Sequence, residues 1–159
     1  MPKFEVELPN ALIKEFENLS KDSKKMVEDM TKAGAKVIYD NMNKNLPQTL
    51  KESNFKNNIK LTRTYETLSD GGINTGVAIT GYFINKEGKK TPAPLVANVF
   101  EYGTSKSGRD YPQHPFLRKS VNKKQIEAEM LKVQDKYIKG WFKWIVQLKL
   151  FLQISKLMG

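Results

Sequence analysis

The sequence predicts an α+β fold: a long N-terminal helix and C-terminal helices packed on a small antiparallel sheet. Three observations carry that prediction. Met26, Met30, Ala33 and Val37 recur at i, i+4, i+7 and i+11, and Ile126, Met130, Val133 and Tyr137 repeat the same spacing near the other end. Between them, Ile59, Leu61, Arg63 and Tyr65 alternate with Lys60, Thr62, Thr64 and Glu66. The first two patterns are the 3.6-residue period of a helix with one apolar stripe, and the third is the two-residue period of a strand. Helices outside a strand-rich middle segment give the α+β class.

The first helix is expected over about residues 10–46, with Ile38 and Met42 widening the stripe. A break is expected near Ser20 to Ser23, where Ser and Asp side chains suit a new helix start. Pro47 ends the element, since it lacks an N–H and restricts Leu46. Residues 48–58 carry Gln48, Thr49, Ser53, Asn54, Asn57 and Asn58 and predict an exposed loop. Asp70-Gly71-Gly72 then supplies a turn, and Ile73 to Ile84 returns as one longer strand, completing an antiparallel hairpin. Lys86 to Lys90 predicts a charged turn. Pro92 and Pro94 fit the first turn of a short helix with Leu95, Val96, Val99 and Phe100 on one face. Gly103 is placed to close that helix, and Pro115 to start the last one.

At 159 residues the chain suits a single domain, read as residues 1–140, followed by an apolar, basic, helical tail over 141–159. Trp141, Trp144, Ile145, Leu148, Phe151 and Leu152 share one face of that tail, while Val146, Leu150, Ile154 and Leu157 lie elsewhere, which implies burial on more than one side. Lys143, Lys149 and Lys156 interrupt it, so it lacks the roughly 20 unbroken apolar residues of a membrane span. An amphipathic helix on a membrane surface is the alternative to packing on a core or neighbour.

The absence of cysteine removes disulfides, thiolate metal sites and a cysteine nucleophile, and fits a reducing cytoplasm. Acidic residues in Met1-Pro2-Lys3-Phe4-Glu5-Val6-Glu7 do not make a signal peptide, so the Asn18-Leu19-Ser20 sequon is read as chance. The net charge of +10 is uneven. Residues 1–85 hold 12 basic and 11 acidic side chains, residues 86–159 hold 15 and 6. Such a field suits a polyanionic partner, and a nucleic-acid-binding protein is the main functional alternative, with Tyr111, His114, Trp141 and Trp144 set among lysines and arginines.

Catalytic, cofactor and metal sites are not expected. His114 is the single histidine, and no activated serine or second ligand accompanies it. Gly88-Lys89-Lys90-Thr91 lacks the glycine and the hydroxyl residue of a phosphate-binding loop, since Phe83 and Lys90 stand in those places. Glu101 is an anomaly: a carboxylate near a helix C-terminus is disfavoured by the helix dipole without a cationic partner, for which Arg109 and Arg118 are the candidates, inside the subunit or across an interface.

Two segments carry a family likeness: Glu101-Tyr102-Gly103-Thr104, and Pro112-Gln113-His114-Pro115-Phe116-Leu117-Arg118. Together with the order of helix, hairpin, short helix, loop and final helix, they resemble a family of small structural proteins of long-tailed phages, the tail-component, neck or head-tail joining proteins. The likeness covers roughly residues 8–137. Lys119-Ser120 stands where the family often has Pro-Ala, Pro47-Gln48-Thr49-Leu50 lacks the family's frequent glycine, and the tail beyond Gly140 matches no family pattern. The resemblance implies a non-enzymatic virion part, made in the host cytoplasm and built as a homo-oligomeric ring of six at the head-tail junction or the top of the tail. Its implied partners are connector, stopper and tail-tube proteins, with non-specific contact to duplex DNA passing through. Interface residues expected on this basis are Glu101, Tyr102, Arg109, Tyr111, His114, Phe116, Arg118, Lys89 and Lys90, with the Ser105 to Tyr111 loop and the Lys86 to Lys90 tip as docking elements. Phe100, Tyr102, Phe116 and Leu117 are expected to pack together and fix the loop.

Overall fold

A computed structural model describes residues 10–69, 71–85, 87–104 and 111–157, with backbone only for residues 10–16, 144 and 148–157. Helix α1 spans Asn10–Asn45 without interruption. The break expected at Ser20 to Ser23 does not occur, because the Ser23 hydroxyl donates back to the Ser20 carbonyl within the helix instead of capping a new start. Pro47 does stop the helix, and its carbonyl accepts from Leu50 and Lys51 to open the one-turn α2 (Gln48–Lys51).

The polar stretch after Pro47 is not an exposed loop. A 3-10 turn at Asn54–Asn58 follows α2, started by the Ser53 hydroxyl accepting from the Phe55 N–H. These two short turns drive Leu50 and Phe55 fully into the core, where they join Met42, Leu46, Ile59, Ala93, Ala97 and Phe116. Phe55 meets Phe83 edge to face, with ring centroids 6.0 Å apart. Two apolar residues among the eleven of residues 48–58 are too few for a periodic pattern, yet each is an anchor.

The strand region is three two-stranded antiparallel ladders instead of one hairpin. β1 (Ile59–Leu61) pairs with β4 (Val77–Ile79), and β2 (Tyr65–Glu66) with β3 (Ile73–Asn74). Threonine hydroxyls bridge the interruption between them: Thr62 accepts from the Gly76 N–H at 2.8 Å, and Thr64, Thr75 and Thr31 of α1 form a hydroxyl chain at 2.8 and 3.1 Å. Asp70 of the expected turn lies outside the described residues. The return strand is cut at Gly81, whose φ of 84° turns the chain while the Asn58 amide donates to the carbonyls of Thr80 and Tyr82. β5 (Tyr82–Ile84) then pairs with β6 (Lys90–Pro92).

Helix α3 (Ala93–Tyr102) follows β6 directly, with Pro94 in its first turn. The single helix expected from Pro115 is two: α4 (Leu117–Ser120) and α5 (Lys123–Leu157). Asn122 causes the division by capping α5, its side chain accepting from Gln125 and its carbonyl from Ile126. Two asparagines of α1 brace the division: Asn41 donates to the Ser120 carbonyl and to Gln125, and Asn45 donates to the buried Ser120 hydroxyl. α5 runs antiparallel to α1. Gly34 permits the close approach, since a methyl group there would stand 3.2 Å from both Ile126 and Met130. Further along, the Tyr137 hydroxyl donates to Asp29 at 2.7 Å. The helix passes through Gly140 without a break, and no described helix is long and apolar enough to cross a membrane.

Candidate functional site

Glu101 sits in the last turn of α3, where the helix dipole alone disfavours a carboxylate. Its compensation comes from another helix. The chain leaves α3 through Gly103, with φ 71°, and passes so close to the returning strand that a methyl group there would lie 2.6 Å from the Tyr111 carbonyl oxygen. Thr104 and Tyr111 then pair as an antiparallel bridge, and the His114 N–H donates to the Phe100 carbonyl at 2.7 Å. This return delivers the N-terminus of α4 onto the Glu101 side chain.

The Glu101 carboxylate accepts from the backbone N–H groups of Phe116 and Leu117, each at 2.8 Å, and from that of Arg118 at 3.2 Å. Arg118 adds its Nε at 2.8 Å and reaches the Glu101 carbonyl at 3.4 Å. One carboxylate thus satisfies three backbone donors at a helix start and holds an ion pair. Burial pushes the Glu101 pKa up, but hydrogen bonds from Leu117, the Arg118 side chain and the Arg118 and Phe116 backbones outweigh it, so the carboxyl is held below the usual glutamate range.

Of the residues singled out in the sequence, Glu101 and Phe116 are each 1% exposed and face inward. The partner of Glu101 is Arg118, and the pair lies within the subunit. Tyr102 does not join the Phe100, Phe116 and Leu117 packing. It stands exposed under Arg118, whose guanidinium carbon lies 5.3 Å from the ring centroid. Tyr111 and His114 are exposed on the same return segment. Tyr102, Arg118, Tyr111 and His114 are therefore all solvent-exposed, with Arg118 and Tyr102 in contact and Arg118 held by Glu101. Arg109, with the rest of residues 105–110, and Lys86 lie outside the described residues.

Lys89 and Lys90 are exposed on the β5–β6 hairpin. Asn85 shapes that tip by accepting from the N–H groups of Glu87 and Lys89, and Gly88 turns it with φ 77°. No hydrogen bond or ion pair among the described residues joins this tip to Glu101 or Arg118. No group of three His, Asp or Glu side chains fit to hold a metal occurs among them either.

Leu50, Phe55, Ser120, Asn41 and Asn45 escaped the sequence reading. Leu50 and Phe55 were detectable as the only large apolar residues between Pro47 and Ile59, whereas the asparagine and serine contacts join positions 75 to 79 apart and leave no local signal.

Residues 10–103, more than half of the chain, match the protein family described as "Bacteriophage HK97-gp10, putative tail-component". The match includes Glu101, Tyr102 and Gly103 and stops before Pro112, so the second sequence segment is tied to the family span through the Glu101 hydrogen bonds. Neither a curated protein nor a solved structure matches the chain.

Proposed function

Because this chain belongs to the HK97-gp10-like family of phage tail components, we propose that it is a structural virion protein that forms a closed ring, of six subunits, at the head-tail junction or the top of the tail. A closed ring needs head-to-tail subunit contacts, in which one surface patch meets a different patch on the next copy. It also needs rigid features to dock on the rings above and below. The observation that supports this reading is the Glu101 clamp. It locks the start of α4 against the end of α3 and leaves Tyr102, Arg118, Tyr111 and His114 exposed. Tyrosine and arginine are the side chains that most often anchor protein contacts. The β5–β6 tip with Lys89 and Lys90 offers a second, separate projection for neighbouring connector, stopper or tail-tube proteins. Arg109, which lies between Thr104 and Tyr111 in the sequence, is assigned the same docking role.

Electron microscopy of particles made after deletion of the gene tests the proposal. Filled heads with separate tails, or tails of abnormal length, are expected. Normal infectious virions overturn it.

A further inference from the structure

Helix α5 carries two apolar rows, and α1 covers one of them. Ile126 and Met130 lie against Gly34, and Tyr137 is bonded to Asp29, so that row is occupied. A second row, Leu131, Ile138, Phe142 and Ile145, recurs at i, i+7, i+11 and i+14, which places it along a single line of the helix facing away from α1. Leu131 and Phe142 are 55% and 66% exposed, Ile145 is exposed, and Ile138 is half-buried. Lys132, Lys136, Lys139 and Lys143, all exposed, follow at i, i+4, i+7 and i+11 and form a basic rail beside that row, in which Lys132 is ion-paired to Glu129 and Lys136 also borders a groove shared with α1. Asp135 is the one acid among residues 130–147.

We infer that this face of α5 docks an acidic amphipathic helix of another protein, laid along α5 as the third helix of the α1–α5 arm. The seam follows coiled-coil spacing, with Asp135 at the one polar position between Leu131 and Ile138 and exposed Val146 beside its far end, which suits the apolar row of a helix. Glutamates beside that row would meet the lysine rail. A second copy brought face to face would set one lysine rail against another, which is repulsive. A bilayer surface asks for a broad apolar face instead of a line bounded by α1 on one side and lysines on the other. Duplex DNA would use the rail and leave the seam uncovered. The inference does not depend on the ring proposed above.

The test uses the full chain and two synthetic helical peptides with the same leucine row, one flanked by glutamates and one by lysines, with binding read by fluorescence anisotropy. The glutamate peptide is expected to bind at least about tenfold more tightly than the lysine peptide. Phe142→Asp, at an exposed position, is expected to weaken it about tenfold, and joint replacement of Lys132, Lys136, Lys139 and Lys143 by Glu is expected to reverse the preference. Reversal is a gain of binding that a misfolded variant cannot show. Failure to bind either peptide, an equal affinity for both, or no effect of Phe142→Asp overturns the inference. So does a Phe142-dependent self-association seen by light scattering, or a Phe142-dependent binding to phosphatidylglycerol vesicles that exceeds binding to the peptide.

Discussion

The Phe116 N–H donates to the Glu101 carboxylate at 2.8 Å, and both residues are removed from water, although 15 positions separate them. Through this contact the end of α3 and the start of α4 become one unit. Removing the acceptor leaves buried N–H groups unpaired. Glu101→Ala is therefore expected to lower stability by roughly 3 kcal/mol, and Glu101→Gln, which keeps one acceptor oxygen, by about 1 kcal/mol. Urea denaturation of the two variants beside the parent chain checks both.

The same carboxylate sets an acid limit. Its pKa is lowered in the folded chain, so below the unfolded value, about 4.3, the unfolded chain takes up a proton that the folded chain refuses. The Glu101 contribution is thus complete at neutral pH and is lost as pH falls from that value through the folded one. Stability measured against pH is expected to drop more steeply over this acid range in the parent chain than in Glu101→Gln.

Gly103 is predicted to tolerate no side chain. Its positive φ and the 2.6 Å approach to the Tyr111 carbonyl combine backbone strain with a clash against backbone. Gly103→Ala is expected to cost about 1–3 kcal/mol. It should also release the Thr104–Tyr111 bridge, seen as faster hydrogen exchange of those two amides.

Tyr137 ties α5 to α1. Its hydrogen bond to Asp29, followed by burial and the Asp29 charge, raises its pKa to about 12. A raised value means that the contribution is present below the usual tyrosine range, near 10, and is lost as pH rises through about 12. An ultraviolet phenolate titration should show one tyrosine ionising late, and Tyr137→Phe should remove that late component.

Phe55 is expected to be among the most sensitive positions of the core. Its ring is fully buried against Phe83, so Phe55→Ala is expected to lose about 3–5 kcal/mol, measured as a lowered denaturation midpoint.

Much of this architecture was legible in the sequence. The Met26 to Val37 and Ile126 to Tyr137 rows announced the two long helices because amphipathic periodicity is a local signal. Pro47 and Gly103 announced their stops through backbone chemistry. The Glu101 anomaly pointed to a cation, Arg109 or Arg118, since an unfavourable dipole position asks for one, and Arg118 is the partner found. Three features were not legible. Phe55 lies in a polar stretch whose burial depends on α2 and the 3-10 turn delivering it. Gly81 divides the return strand because the Asn58 side chain binds the carbonyls on either side of it. The α4–α5 division rests on Asn122, a local cap, and on Asn41 and Asn45, whose partners are far away in sequence. Of the residues singled out together in the sequence, Glu101 and Phe116 are buried and Tyr102, Tyr111, His114 and Arg118 exposed, a division that depends on the return of the chain from Tyr111 and leaves no local signal.

The proposed place of this protein is inside the virion, as a built-in part at one end of the tail. Immunogold labelling of purified particles with antibody to this chain tests that placement. Gold confined to the head-tail junction or the upper end of the tail is the predicted result, and purified infectious particles that lack the protein altogether would contradict it.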